Sequence, residues 1–75
     1  MNIEDVYGKL ACIKKENERY VSYIYNCQNG YEKIYMTSQK KRIIISHLKK
    51  NNLIPIPKKV FEEEGKRLQS YLNRS

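Results

Sequence analysis

The pair Asn29-Gly30 lies between two runs of alternating apolar and polar residues, 20–28 and 31–37, near the middle of a 75-residue chain. A type I′ turn needs positive φ at both central positions, which Asn tolerates and Gly adopts without steric cost. The sequence therefore predicts a β-hairpin closed by a two-residue turn at this pair. Such a turn fixes the register of both strands, and the register decides which side chains form the core.

The predicted register divides the hairpin into two faces, because side chains opposite each other share a face. It pairs Tyr25 with Ile34 and Tyr23 with Met36. The more apolar face holds Val21, Tyr23, Tyr25, Cys27, Ile34 and Met36. The other face holds Tyr20, Ser22, Ile24, Asn26, Lys33, Tyr35 and Thr37. We expect the first face to form the core and the second to be open to solvent.

A first strand is predicted over residues 9–15, followed by a polar turn. Its buried face depends on the length of that turn, because a slip of one residue moves every side chain to the other face. A two-residue turn buries Leu10 and Cys12. A three-residue loop instead buries Ala11 and Ile13.

Residues 38–52 fit both a helix and a strand. The β-branched run 43–45 favours a strand. Ser38 as N-cap favours a helix, as does the segment 49–52 at its end, where cations and a left-handed residue are stabilising. As a helix the segment places three apolar residues on one stripe: Ile44, Ile45 and Leu48. As a strand, Arg42 to Leu48 would be the fourth strand of a small barrel.

The segment 53–57, Leu-Ile-Pro-Ile-Pro, predicts a rigid non-helical connector, because each Pro lacks a donor and holds its predecessor extended. A helix is predicted from Pro57 or Lys58 to Asn73. Its apolar stripe consists of Phe61, Gly65, Leu68 and Leu72. Gly at a helix interior costs about 1 kcal/mol relative to Ala, so Gly65 indicates a close approach of the helix to the sheet.

Together these elements predict an α+β fold in one small domain, 1–75. A three-stranded antiparallel β-meander is packed by the C-terminal helix, with a second helix at 38–52. The alternative is a small SH3-like β-barrel plus the C-terminal helix. At this size a single core is only marginally sufficient, so a homodimer is one way for the chain to gain stability.

The net charge of +7 is concentrated in one stretch. From Lys33 to Phe61 there is no Asp or Glu, whereas the stretch has eight Lys and Arg residues. The rest of the chain has seven basic and eight acidic residues and is nearly neutral. A concentrated basic patch is typical of proteins that bind a polyanion.

We expect this patch, with tyrosines on an open sheet face, to bind nucleic acid, because Lys and Arg contact phosphates and aromatic rings stack on bases. The candidate residues are Arg19, Tyr20, Lys33, Tyr35, Lys40, Lys41, Arg42, Lys49 and Lys50. The sequence thus favours a small basic non-enzymatic nucleic-acid-binding or regulatory protein, with DNA slightly ahead of RNA. The alternative is a protein-interaction module, such as a phage-type inhibitor that docks on an acidic protein surface. A small ribonuclease toxin is the third reading.

Few residues of the chain are suited to catalysis or to metal binding. His47 is the only histidine, and no catalytic or cofactor signature accompanies it, so we expect no enzyme and no cofactor. No pair among Cys12, Cys27 and His47 has the short spacing of zinc ligands, and we expect no metal and two free thiols. The chain lacks a membrane span and a leader-like apolar run, which predicts a cytoplasmic protein.

Two stretches resemble DNA-binding families. Three strands followed by a helix that begins near Ser38 give residues 6–52 an arrangement similar to the arm-binding domains of phage and transposon integrases. The resemblance implies that the sheet enters the major groove of DNA. The run Ile54-Pro55-Ile56-Pro57-Lys58-Lys59, with Gly65 after it, resembles the Ile-Pro-Lys stretch of AbrB-type swapped-hairpin DNA-binding proteins. Residues 66–68 replace the strand that this family has after its Gly.

Overall fold

The computed structural model describes residues 3–74 and has a mixed α+β fold. Its elements are helix α1 (Ile3–Val6), a 3₁₀ turn (Tyr7–Lys9), strands β1 (Leu10–Glu16), β2 (Arg19–Tyr25) and β3 (Glu32–Ser38), helix α2 (Lys41–Lys50), strand β4 (Ile54–Pro55) and helix α3 (Lys58–Asn73). The predicted three-stranded meander and C-terminal helix are confirmed, and the second helix forms at 41–50. None of the helices in this part of the chain is long and apolar enough to cross a membrane.

The four strands form one sheet in the order β3-β2-β1-β4, in which the first three are antiparallel. The segment predicted as a connector adds the short fourth strand, parallel to β1, with Leu10 opposite Ile54 and Ala11 opposite Pro55. The N–H of Ile56 also donates to the carbonyl of Ala11 at 2.8 Å. Pro55 is tolerated here because β4 lies at the edge of the sheet, where one side of the strand needs no ladder donor.

A two-residue turn joins β1 and β2. Asn17 and Glu18 both have positive φ, 49° and 65°, as a type I′ turn requires. Cys12 therefore lies opposite Tyr23, and Leu10 and Cys12 point to the face covered by α3. The first of the two predicted registers is the one that forms.

The connection between β2 and β3 differs from the prediction. It is a loop over residues 26–31, in which Gly30 has φ +80° while Asn29 does not adopt positive φ. The N–H of Asn26 donates to the carbonyl of Tyr31 at 2.9 Å, and the N–H of Gly30 donates to the carbonyl of Asn26 at 2.7 Å. The side-chain oxygen of Asn29 accepts from the N–H of Tyr31 at 3.0 Å. These side-chain and backbone bonds stabilise a wider loop than the two-residue turn.

The wider loop changes the register of the hairpin. Tyr25 pairs with Glu32 and Tyr23 pairs with Ile34, so the predicted pairing of Tyr25 with Ile34 and of Tyr23 with Met36 was wrong. The slip of two residues at this end leaves Ile34 on the predicted face, because side chains alternate with a period of two. Ile34 is nevertheless 61% exposed, because it lies on the edge strand β3.

A β-bulge in β3 places Met36 on the opposite face from the predicted one. Pairing passes from Ser22 with Met36 to Tyr23 with Ile34, so Tyr35 is the additional residue of the bulge. The hydroxyl of Ser22, which is fully buried, donates to the carbonyl of Met36 at 3.0 Å and accepts from its N–H at 3.1 Å. Met36 then packs in the cluster beneath α2.

Helix α3 packs on the sheet face that holds Cys12 and Tyr25. Its residues Phe61, Gly65 and Leu68 are buried, as the periodicity predicted. A Cβ on Gly65 would lie 3.0 Å from the Tyr25 ring, which confirms the close approach to the sheet. Residues 66–68 are helical, so the strand expected for an AbrB-type hairpin does not form here.

Helix α2 packs on the opposite face. Ile44 and Leu48 are fully buried against Ala11, whose small side chain lets the helix approach the sheet closely. Two of the three residues of the predicted stripe are thus buried, Ile45 is half-buried, and the segment is not the fourth strand of a barrel. The expectation that this face is open to solvent was wrong, because α2 and its apolar stripe cover it. The resemblance to integrase arm-binding domains implied that an open sheet face enters the major groove. In this fold α2 and α3 cover opposite faces of the sheet, so neither face is open in that way.

The two ends of α2 are closed by backbone geometry. Asn52 has φ 59°, the left-handed conformation predicted for this end. The N–H of Leu53 donates to the carbonyl of Leu48 at 2.8 Å, and both side chains belong to one cluster, as in a Schellman motif. At the other end the N-cap is Lys40 and not Ser38, whose hydroxyl accepts from the N–H of Lys40 at 3.1 Å.

Candidate nucleic-acid interface

The outer face of α2 carries most of its cations. The helix turns about 100° per residue, so the side opposite the buried Ile44 and Leu48 is occupied by a fixed set of positions. This outer set consists of Arg42, Ile43, Ser46, Lys49 and Lys50, all exposed. Helix α2 contains no acidic residue. A partner that approaches α2 from solvent therefore meets only neutral and basic side chains.

The cations of α2 form two clusters, one at each end. The N-terminal cluster consists of Lys40, Lys41 and Arg42, and the C-terminal cluster consists of Lys49 and Lys50. Residues 43–48 between them carry no formal charge at neutral pH. At about 1.5 Å of rise per residue, the two clusters lie roughly 10 to 14 Å apart along the helix axis.

Two lysines of the sheet extend this basic surface. Lys15 lies opposite Tyr20 in the register, and its Nζ is 6.0 Å from the centroid of the Tyr20 ring. Lys33 lies opposite Ile24, which packs beneath α2. We call helix α2, its N-cap and the sheet face that it covers the α2 side, and the opposite face with α3 the α3 side.

The acidic residues of the sheet and of the long helices are on the α3 side. Glu16 and Glu32 share the sheet face of Cys12, and Glu62, Glu63 and Glu64 belong to α3. Two ion pairs form on this side, Lys14 with Glu32 at 3.3 Å and Arg67 with Glu64 at 3.1 Å. The Tyr23 hydroxyl donates to Glu16. Charges of both signs are therefore mixed here.

The net charge of the protein lies on the α2 side. Within residues 3–74 this side carries seven basic residues and no acidic one. Its basic residues are Lys15, Lys33, Lys40, Lys41, Arg42, Lys49 and Lys50. The other eight basic residues are balanced in number by the eight acidic residues of the chain. Five acidic residues lie on the α3 side, Glu4 and Asp5 belong to α1, Glu18 belongs to the β1–β2 turn, and Glu4 lines a pocket with Lys33. The fold thus turns a basic stretch of sequence into a one-sided field.

The predicted site residues separate into two groups. The six that belong to the basic surface are Lys33, Lys40, Lys41, Arg42, Lys49 and Lys50, to which the structure adds Lys15. Arg19 lies on the α3 side, opposite Glu16 in the register. Tyr20 and Tyr35 are half-buried in the cluster beneath α2 and do not form an open stacking platform. Lys15 could have been found from the two-residue turn, which places it on the same face as Tyr20.

The most exposed tyrosines lie outside the basic surface. Tyr31, 64% exposed, stands in the loop before β3, and Tyr71, 56% exposed, belongs to α3. A cleft of about 360 Å³ lies between that loop and α3, with Tyr25 and Phe61 among its lining residues. Glu32 and Glu62 also line this cleft, so its charge does not suit a polyanion.

The Cys12 thiol and the buried Tyr25 phenol belong to the cluster on the α3 side, whereas Cys27 lines a pocket together with Lys33. Burial raises the pKa of the Cys12 and Cys27 thiols, and Glu4 raises that of Cys27 further. Burial, and then the charge of Glu64, raises the pKa of Tyr25. Both cysteines are free, and in the described part of the chain no three metal-ligating side chains come together.

The chain was compared with models of protein families, with curated proteins and with solved structures, and no match was found.

Proposed function

We propose that this protein binds nucleic acid through its α2 side and acts as a small non-enzymatic nucleic-acid-binding or regulatory protein. The observation that carries the proposal is the segregation of charge: the α2 side has seven basic residues, whereas the acidic residues of the strands and of the two long helices lie on the α3 side. Lys and Arg that neutralise phosphates release condensed counterions, and this release drives association. A one-sided field also orients the protein during its approach to a polyanion.

The geometry of α2 supports the same proposal. The side chain of its N-cap, Lys40, makes no capping bond to the first turn, and the N–H of Ile43 donates to the Lys40 carbonyl at 3.2 Å. The positive end of the helix dipole therefore adds to the field of Lys40, Lys41 and Arg42. Helix N-termini are among the groups that contact phosphates in nucleic-acid complexes.

A second candidate is an interaction module that docks on an acidic protein surface. Ile43, 40% exposed beside Arg42, favours this reading, because an exposed apolar side chain among cations suits a protein interface. The two functions differ in their response to salt and in their selectivity. Nucleic-acid binding weakens steeply with salt on unrelated sequences, whereas a docking module binds one acidic protein and ignores naked nucleic acid.

Fluorescence anisotropy with labelled oligonucleotides of unrelated sequence, at about 50 and 200 mM salt, tests the proposal. With about five to seven phosphate contacts, the affinity should fall roughly 10²- to 10⁴-fold between these two concentrations. Absence of binding at about 50 mM salt would contradict the proposal and favour the acidic protein partner.

Two triple variants with the same net charge test whether the position of the cations or only their total number governs binding. The first carries Lys40→Gln, Lys41→Gln and Arg42→Gln on the α2 side. The second carries Lys59→Gln, Lys66→Gln and Arg67→Gln on α3. We expect the first to lower the salt slope by about three and the second to leave it nearly unchanged. Equal losses in the two variants would show that total charge, and not the α2 side, governs binding.

A further inference from the structure

We infer that the nucleic acid bound by the α2 side is duplex DNA, with α2 lying across the major groove and its two cationic clusters contacting the phosphates on either side. The inference rests on the proposed function and specifies its ligand. Two independent features of the structure carry it: the division of the cations of α2 into two end clusters, and the location of the exposed aromatic rings.

The spacing of the two clusters matches two phosphate rows better than one. The clusters lie roughly 10 to 14 Å apart along the helix axis. The major groove of B-form DNA is about 12 Å wide and admits an α-helix. Between the clusters, Ser46 occupies the centre of the outer face, and it is small and neutral. A helix placed across the groove then brings its cations to the phosphates and an uncharged middle over the groove itself.

The location of the aromatic rings argues against a single strand as the ligand. Single-stranded nucleic acid is bound by combining backbone contacts with bases stacked on exposed aromatic rings. On the α2 side the rings of Tyr20 and Tyr35 are half-buried in the cluster beneath the helix. The exposed rings of Tyr31 and Tyr71 lie outside that side. The basic surface therefore offers phosphate contacts without a stacking platform, which suits a duplex whose bases remain paired.

Direct comparison of ligands tests the inference. The affinity of the unmodified protein should be measured at about 100 mM salt for a DNA duplex, for each of its single strands and for an RNA duplex of the same sequence. We expect the DNA duplex to bind at least tenfold more tightly than either strand, because a single strand presents only one phosphate row. Equal or tighter binding to a single strand, or tighter binding to the RNA duplex, would overturn the inference while leaving the proposed function intact. No binding to any of the four would overturn both.

A relocation of one charge tests the bridging geometry at constant net charge. The double variant Lys50→Ser with Ser46→Lys moves one cation from the C-terminal cluster to the neutral centre of the outer face. We expect it to bind the DNA duplex about five- to tenfold more weakly at about 100 mM salt, with a salt slope lower by about one. Both positions are exposed, so circular dichroism and the melting temperature should stay unchanged. An unchanged affinity would overturn the bridging geometry.

A second variant tests the role of the aromatic rings. Tyr31→Ser with Tyr71→Ser removes the two most exposed tyrosines and leaves every charge in place. We expect the affinity for the DNA duplex to stay within about twofold of the unmodified protein, because these rings lie outside the basic surface. A loss of tenfold or more would show that the exposed rings contact the nucleic acid, which contradicts the inferred mode of binding.

Discussion

The ring of Tyr25 lies flat on the ring of Phe61, with 4.1 Å between the centroids and 6° between the planes. The Tyr25 hydroxyl donates to the backbone carbonyl of Phe61, so one side chain of β2 contacts both the ring and the backbone of the same α3 residue. Stacked aromatic pairs of this kind contribute about 0.5 to 1.5 kcal/mol beyond the area that they bury. This pair is one of the contacts that join the sheet to α3, together with those of Cys12 and Leu68 in the same cluster.

The first prediction concerns Phe61, which is 1% exposed at the centre of this contact. Phe61→Ala should lower the free energy of unfolding by about 3 to 5 kcal/mol, because it removes the stacked ring and leaves a cavity. Domains of this size have a small free energy of unfolding, comparable to this loss, so the variant should be largely unfolded at room temperature. Urea unfolding followed by circular dichroism measures the change, with Phe61→Leu as a milder variant. A melting temperature within error of the unmodified protein would contradict this packing.

The second prediction compares three glycines. Gly65→Ala should destabilise the protein although Ala gains about 1 kcal/mol in helix propensity. The added Cβ would lie 3.0 Å from the Tyr25 ring, which is held by Phe61 and cannot move aside. Gly30→Ala should cost more, because Gly30 has φ +80° and its Cβ would lie 2.9 Å from a Gln69 carbon. Gly8→Ala is the control, since its Cβ would lie at an ordinary 3.7 Å from the Cβ of Glu4. Thermal melts of the three variants check this order, and a stabilised Gly65→Ala would contradict it.

The register of the β2–β3 hairpin shows what the sequence could and could not specify. The type I′ turn that Asn29-Gly30 predicted forms instead at Asn17-Glu18, a pair with a weaker local signal. Gly30 is buried against α3, and this long-range contact is invisible to a local pattern. The bulge at Tyr35 is equally non-local, because it depends on the hydrogen bonds of Ser22 across the strands. The helices were easier to predict, since their apolar stripes depend only on residues within a few turns.

A third prediction tests the corrected register. Met36→Ala should lower the free energy of unfolding by about 2 kcal/mol or more, because Met36 packs beneath α2. Ile34→Ala should cost less than about 1 kcal/mol, because Ile34 is largely exposed at the edge of the sheet. The two-residue turn at Asn29-Gly30 would instead bury both side chains on one face. If urea unfolding showed equal losses of unfolding free energy in the two variants, the register of the two-residue turn would be favoured instead.

The basic stretch was predictable from the sequence, whereas the arrangement of its side chains was not. Counting charges between Lys33 and Phe61 identified six of the seven cations on the α2 side. Lys58 and Lys59 belong to the predicted C-terminal helix, but the count could not show that this helix packs away from the α2 side. It also could not show that Tyr20 and Tyr35 lie beneath α2. Those placements follow from the burial of Ile44 and Leu48 on the sheet, which is a tertiary contact.

The fourth prediction concerns alkaline pH. Burial raises the pKa of Tyr25, and the hydrogen bond to Glu16, with burial second, raises the pKa of Tyr23 to about 12. An unfolded Tyr titrates near 10, so the folded state holds these protons more tightly. Their contribution to stability is complete below about pH 10 and is lost as the pH rises from there through the folded pKa values.

The variant Tyr25→Phe isolates the part of this effect that belongs to Tyr25, because the two proteins differ only in this hydroxyl. Near pH 8 the unmodified protein should be more stable by about 1 kcal/mol, the usual contribution of one hydrogen bond. Above about pH 10 this difference should shrink, since unfolding then releases the Tyr25 proton. Urea unfolding at a series of pH values measures the difference. A difference that stays constant to pH 11 would contradict the raised pKa of Tyr25.

The central claim is that nucleic acid contacts the α2 side of the sheet, and nuclear magnetic resonance tests it most directly. A ¹⁵N-labelled sample titrated with a short DNA duplex reports the residues whose environment changes. The account predicts shifts at residues 40–50 and at Lys15 and Lys33, with the outer face of α3 left unchanged. Shifts centred on α3 or on the loop 26–31, with α2 unchanged, would contradict it.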